Sequence, residues 1–157
     1  MNRIVILGTG HATVTRCYNT CFVLQTDTTT LLVDAGGGNG ILQRLKQAGI
    51  AIKDLHHMYV THAHTDHILG TIWVIRMVLS AAGYEGRFHV YSHAKVLRVI
   101  SMICGETLSA KHRRLMGERV VMHEVGDGTG FNVGDIGMQS FDIHSKKELQ
   151  YLSLIHI

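Results

Sequence analysis

Short apolar runs separated by polar or glycine-rich stretches dominate the first part of the chain. Residues 3–7, 21–26 and 30–33 are rich in aliphatic and β-branched side chains and are predicted strands. Asp27, Thr28 and Thr29 separate the second from the third, which reads as a hairpin. After Ala35 and a run of glycines the period changes. Ile41, Leu42, Leu45 and Ala48 share one side of a predicted helix, Arg44 and Lys46 fall outside it, and Gly49 closes it. Residues 58–61 form a further β-run. Residues 68–80 are apolar on nearly every side, predicting a helix covered on most faces, with Trp73 in the core beside Ile72 and Met77. Residues 87–91 read as strand and 94–108 as helix, with Val96, Leu97, Ile100, Ile103 and Cys104 inward; residues 111–115 extend or follow it. Residues 119–125, 131–133 and 136–143 are β in character, with turns at Gly126-Asp127-Gly128 and Gly134-Asp135. Strands at both ends with helices between them predict an α/β layered domain with a mixed sheet.

Composition narrows this picture. A chain of 157 residues, 46% apolar and 17% charged, makes one packed domain and not a disordered polymer. The longest apolar stretch, 68–84, is interrupted by Arg76 and is short for a membrane span. The N-terminus offers one arginine and too few apolar residues for a secretory signal, so a cytoplasmic protein is expected. Cys17, Cys21 and Cys104 are then expected as reduced thiols. A net charge of +3 tolerates a polyanionic substrate without demanding one. With no proline and 17 glycines, turns must be glycine turns. The 12 histidines matter through their spacing.

Three imidazoles and a carboxylate fall within one short segment, at His62, His64, Asp66 and His67. Residues two apart in an extended segment project to one side, so His62 and His64 can address one ion. Asp66 and His67 sit at the turn into the next helix, where a change of chain direction can aim both at a second ion. Chance produces this pattern in such a chain with a probability of roughly 0.003. Helix capping accounts for Asp66 but not for three histidines. Zinc takes imidazole nitrogen and carboxylate oxygen and keeps a position open for water. Two such ions suit hydrolysis.

The segment Thr61-His62-Ala63-His64-Thr65-Asp66-His67 resembles the signature of the metallo-β-lactamase-fold hydrolases. Ile6-Leu7-Gly8-Thr9-Gly10, Leu32-Val33-Asp34-Ala35-Gly36-Gly37-Gly38 and Phe141-Asp142-Ile143-His144-Ser145 extend the likeness, and together they most resemble the ribonuclease Z-like branch. The resemblance implies an αββα sandwich of two similar halves and metal-dependent phosphodiester hydrolysis, on precursor tRNA in ribonuclease Z. By position it implies that His62, His64 and His144 hold a first zinc and that Asp66 and His67 hold a second. Asp66 would also serve in activating water, and Asp34 would orient the ligand loop; an N-cap for the helix after it is the other reading of Asp34. The resemblance covers residues 1–150 only. The later bridging aspartate and later histidines of the family have no counterpart, and residues 151–157 depart from the pattern, so His156 receives no role. An incomplete domain with partial zinc occupancy and no turnover is therefore expected, its inner face at 4–7, 31–33 and 136–143 meeting water. RNA or a small phosphodiester is the substrate class this implies, and a homodimer is compatible with it. A hydrolase of the same fold acting on lactones, thioesters or sulfates, or a non-catalytic zinc-binding fragment, remains open.

Elsewhere, Lys111, Arg113, Arg114 and Arg119 form the densest basic cluster. With no aromatic interleaved, a solvated face is expected in preference to an RNA contact. His11 lies in the first glycine loop and is expected on the surface.

Overall fold

The computed structural model describes residues 2–144 and 149–156, with the backbone alone at 152, 154 and 156. Six strands form the main sheet: β1 (Arg3–Gly8), β2 (Cys21–Gln25), β3 (Thr30–Val33), β4 (His57–Tyr59), β5 (Phe88–Ser92) and β6 (Val120–Glu124), neighbours in that order. The β1–β2 and β2–β3 pairs are antiparallel, whereas β3–β4, β4–β5 and β5–β6 are parallel. Parallel neighbours need crossovers, and the helices supply them. These are α1 (Gly40–Gln47) between β3 and β4, α2 (Thr65–Ser80) between β4 and β5, and α3 (Ala94–Thr107) with α4 (Ala110–Arg114) between β5 and β6. A second sheet contains β7 (Gly130–Val133), β8 (Ile136–Asp142) and β9 (Tyr151–His156), all antiparallel.

The period-two pattern of the strands divides their side chains between two cores. Val23, Leu32, Met58, Phe88 and Val90 pack with Ile41, Leu45, Ile68, Ile75, Val78 and Ile100 from the helices. Leu24, Leu31, Val33 and Tyr59 face the other way and pack with Val133, Ile136 and Met138 of the second sheet. The main sheet is thus buried on both faces, as expected of parallel strands. The sequence expectation that residues 31–33 and 136–143 meet water is corrected at Leu31, Val33, Ile136 and Met138, which are buried against one another; Phe141 and Ile143 are exposed, as are Ile4 and Ile6 of the expected 4–7 run, at 60% and 59%.

Helix α2 departs from the reading in two ways. It begins at Thr65, so Asp66 and His67 lie in its first turn and not before it. Trp73 and Met77 are exposed, at 41% and 37%, and are not core. With Arg76 they face outward, and Leu69 and Ile72 beside them are half-buried, because Ile68, Thr71, Val74, Ile75 and Val78 fill the opposite side. An all-round apolar helix carries no local signal of which face is covered. Among the described residues no helix is long and apolar enough to cross a membrane.

Candidate metal centre

Parallel strands place ligands beyond their carboxyl ends, and the His-rich segment leaves β4 at that edge. Asp34 leaves the adjacent β3 at the same edge. Its backbone adopts φ +56°, in the left-handed region that aspartate tolerates better than most residues. The turn sends its carboxylate toward the end of β4. There Oδ1 accepts from the Thr61 backbone N–H at 2.9 Å, and Oδ2 accepts from the Thr61 hydroxyl at 2.8 Å and from His67 Nδ1 at 2.7 Å. Asn39, not Asp34, stands at the N-cap of α1, which disposes of the capping alternative.

This network assigns tautomers. The Thr61 hydroxyl has one proton, and donating it to Asp34 leaves its oxygen to accept from His62 Nδ1, 2.8 Å away. His62 therefore carries its proton on Nδ1 and presents a lone pair on Nε2. His67, donating from Nδ1 to Asp34, likewise presents Nε2, which lies 3.4 Å from Asp66 Oδ2. The two rings have centroids 4.1 Å apart. His62 Nε2 and His64 Nδ1 stand 3.0 Å apart. Burial, then the neighbouring His67, pulls His62 down to about 4, which keeps the ring neutral. Burial opposes charge on His67 too, but the hydrogen bond and charge of Asp34 outweigh it and raise that ring. Thr61 was missed by sequence reasoning; its only signal is a hydroxyl residue directly before the first histidine.

The loop that carries Asp34 is clamped from both sides. The Tyr18 hydroxyl lies 2.8 Å from the Ala35 carbonyl and 2.7 Å from that of Gly38. From the other side, the Gly70 N–H donates to Gly36 O at 2.8 Å, and Ala35 N–H donates to His67 O at 3.1 Å. Gly70 is required, since a Cβ there would overlap the Ala35 carbonyl oxygen.

Among the described residues the other expected positions do not join this cluster as a group of metal donors. His144 follows β8 with φ +52°, its side chain 85% exposed and its Nδ1 3.4 Å from Asp142 Oδ2. Ser145, which ends the last of the recognised segments, lies outside the described residues. His11 is exposed, its carbonyl accepting from Asn19 Nδ2. The basic cluster is partly spent on backbone: Arg113 donates to the Leu108 carbonyl at 2.7 Å, and Arg119 reaches the Val78 and Leu79 carbonyls at the end of α2. Cys17 is exposed, whereas Cys21 and Cys104 are buried, and none is paired in a disulfide among the described residues.

Whether these residues suit a metal ion is answered by spacing and tautomer. Two ligands about 2.0–2.1 Å from one ion, at roughly 90–110° to each other, lie about 2.8–3.4 Å apart. The 3.0 Å separation of His62 Nε2 and His64 Nδ1 falls in that range. A histidine that donates its other ring N–H to a carboxylate, as His67 does to Asp34, has the arrangement found behind metal ligands. No group of three or more such donors converges as it stands among the described residues. The donor chemistry of His62, His64, Asp66 and His67 nonetheless fits a borderline divalent cation.

The family description "Anti-Pycsar protein Apyc1" matches residues 2–155. The chain belongs to this family. Its sequence is also similar to ribonuclease Z, with 37% identity to that of Streptomyces avermitilis over 79 residues, half of this chain and 26% of that protein. Identity to the ribonuclease Z of Aeropyrum pernix is 30% over 141 residues, 88% of this chain and 42% of the relative. The chain thus spans less than half the length of these curated relatives. In structure it is similar to the short form of human tRNase Z, with a TM-score of 0.77 and 15% identity over 99% of this chain and 64% of that one. The Apyc1-family chain is therefore a metallo-β-lactamase-fold, ribonuclease Z-like protein.

Proposed function

We propose that this Apyc1-family chain carries the ligand loop of a metal-dependent phosphodiesterase, with RNA or a small phosphodiester as its substrate class. The observation that carries the reading is the double anchorage of Asp34, which orients His67 directly and His62 through Thr61, each with Nε2 toward the cluster. His62 and His64, joined by His144 on the strength of the sequence resemblance, would hold a first zinc, and Asp66 and His67 a second. Zinc bound there supplies a Lewis acid and acidifies a water ligand. The residues of the chain do the rest. Asp34 and Thr61 hold the imidazole tautomers, burial keeps His62 neutral, and Asp66 accepts or positions the proton of the attacking water. Names of relatives support hydrolysis of a phosphodiester over that of lactones, thioesters or sulfates.

A second reading, metal binding without turnover, is favoured by the exposed position of His144. Zinc content per chain after dialysis, measured together with hydrolysis of bis-p-nitrophenyl phosphate, precursor tRNA and a lactone, separates the readings. Zinc retained by the wild type, lost in His64→Ala, and phosphodiester turnover support the enzyme. Zinc without turnover supports the binding fragment. An unchanged zinc ratio in His64→Ala overturns both.

A further inference from the structure

A second group of imidazoles stands on the main sheet, away from the His-rich loop. His57, His89 and His123 occupy the adjacent parallel strands β4, β5 and β6, with His57 opposite His89 and Tyr91 opposite His123. His89 Nδ1 and His123 Nε2 are 2.8 Å apart. The His57 ring is 5.4 Å from that of His89, and its Nδ1 is buried with no hydrogen-bond partner among the described residues. Tyr91 stacks on His123 at 4.6 Å and on Phe131 at 5.6 Å, giving the group an aromatic flank.

We propose that His89 and His123, with His57 as the adjacent third donor, bind a borderline divalent transition-metal cation such as Cu2+, Ni2+ or Zn2+. The pair has the bite that one ion asks of two nitrogen ligands, about 2.8–3.4 Å, and matches the 3.0 Å of His62 and His64. Imidazole ligates only when neutral. Burial favours the neutral form of all three rings, pulling His57 to about 4 and lowering His89 and His123. The groups that act on His57 are His89, His56 and His123, and those on His89 are His123, Arg87 and His56. No carboxylate is among them. An all-nitrogen site of this kind discriminates against Mg2+ and Ca2+, which need oxygen ligands, and ranks Cu2+ first among the divalent ions. Binding replaces the hydrogen bond within the pair and turns the His57 ring toward it, giving the orphaned Nδ1 a partner. The site is independent of the ligand loop.

Copper(II) titration of the full, metal-stripped chain, followed by electron paramagnetic resonance, tests this. The expected result is a copper signal with nitrogen hyperfine coupling in the His62→Ala/His64→Ala background that disappears when His89→Ala/His123→Ala is added to it, and is unaffected by Mg2+. The same copper stoichiometry and spectrum after the His89/His123 substitutions in that background overturns the proposal. Because that variant removes two sheet residues, circular dichroism accompanies it and the wild-type chain carries a second readout. Substoichiometric Cu2+ should broaden the ring-proton resonances of His57, His89 and His123 in the His62→Ala/His64→Ala background. Broadening confined to other histidines overturns the assignment.

Discussion

Asp34 Oδ2 accepts the Nδ1 proton of His67 at 2.7 Å, joining the end of β3 to the first turn of α2 through one carboxylate. The same carboxylate holds Thr61, and through it His62. Loss of an anchor behind a metal-ligating histidine typically costs about 10- to 100-fold in affinity. Asp34→Ala is therefore expected to weaken zinc binding by about that factor, read by competition with a chromophoric chelator. Wild-type affinity in this variant would show that Asp34 does not act on the ligand loop.

Gly70 lets the first turns of α2 lie directly on the loop after β3. In Gly70→Ala the new methyl meets backbone, which cannot swing aside as a side chain would. Overpacking of this kind costs about 1–3 kcal/mol, occasionally more. The expected outcome is a melting temperature lowered by several degrees together with weaker zinc binding, since the same backbone carries Asp34 and His67. Zinc affinity unchanged beside a lowered melting temperature would separate packing from the site.

Burial, then the neighbouring imidazoles His89, His56 and His123, depresses His57 from 6.5 to about 4. A base with a lowered folded-state pKa favours unfolding when it must take up a proton. The contribution of neutral His57 is whole above pH 6.5 and is lost as pH falls toward 4. Wild-type stability should thus fall more steeply over that interval than that of His57→Gln, in urea melts of the metal-stripped chains. Parallel curves for the two proteins would contradict this.

Asp66 lies in the first turn of α2, its carboxylate 3.4 Å from His67 Nε2. In any form of the protein that turns over bis-p-nitrophenyl phosphate, Asp66→Ala should lower kcat by about 10²–10⁴-fold, the range of a positioned acid–base group, with the circular dichroism spectrum retained. Wild-type kcat would remove the role.

Among the described residues the outer edge of β1 is unpaired, and Ile4 and Ile6 lie exposed on that strand. Edges of this kind associate. Size-exclusion chromatography of the chain should show concentration-dependent association, reduced by Ile6→Lys. A monodisperse monomer at all concentrations would mean that the edge is inert.

What could be read along the chain is what depends on the side-chain period of a single element. The apolar runs over Cys21–Gln25 and Thr30–Val33 already marked β2 and β3 as strands. The spacing of Ile41 and Leu45 held the buried side of α1. The donor set at His62, His64, Asp66 and His67 was legible for the same reason, because neighbours in sequence stay neighbours in space. Three features were decided only by the tertiary structure. Trp73 faces outward because packing chooses one face of an evenly apolar helix. Thr61 matters because the left-handed turn at Asp34 brings a distant carboxylate beneath it. His57, His89 and His123 meet because crossovers through α2, and through α3 and α4, return the chain to adjacent parallel strands in a register that local periodicity does not encode.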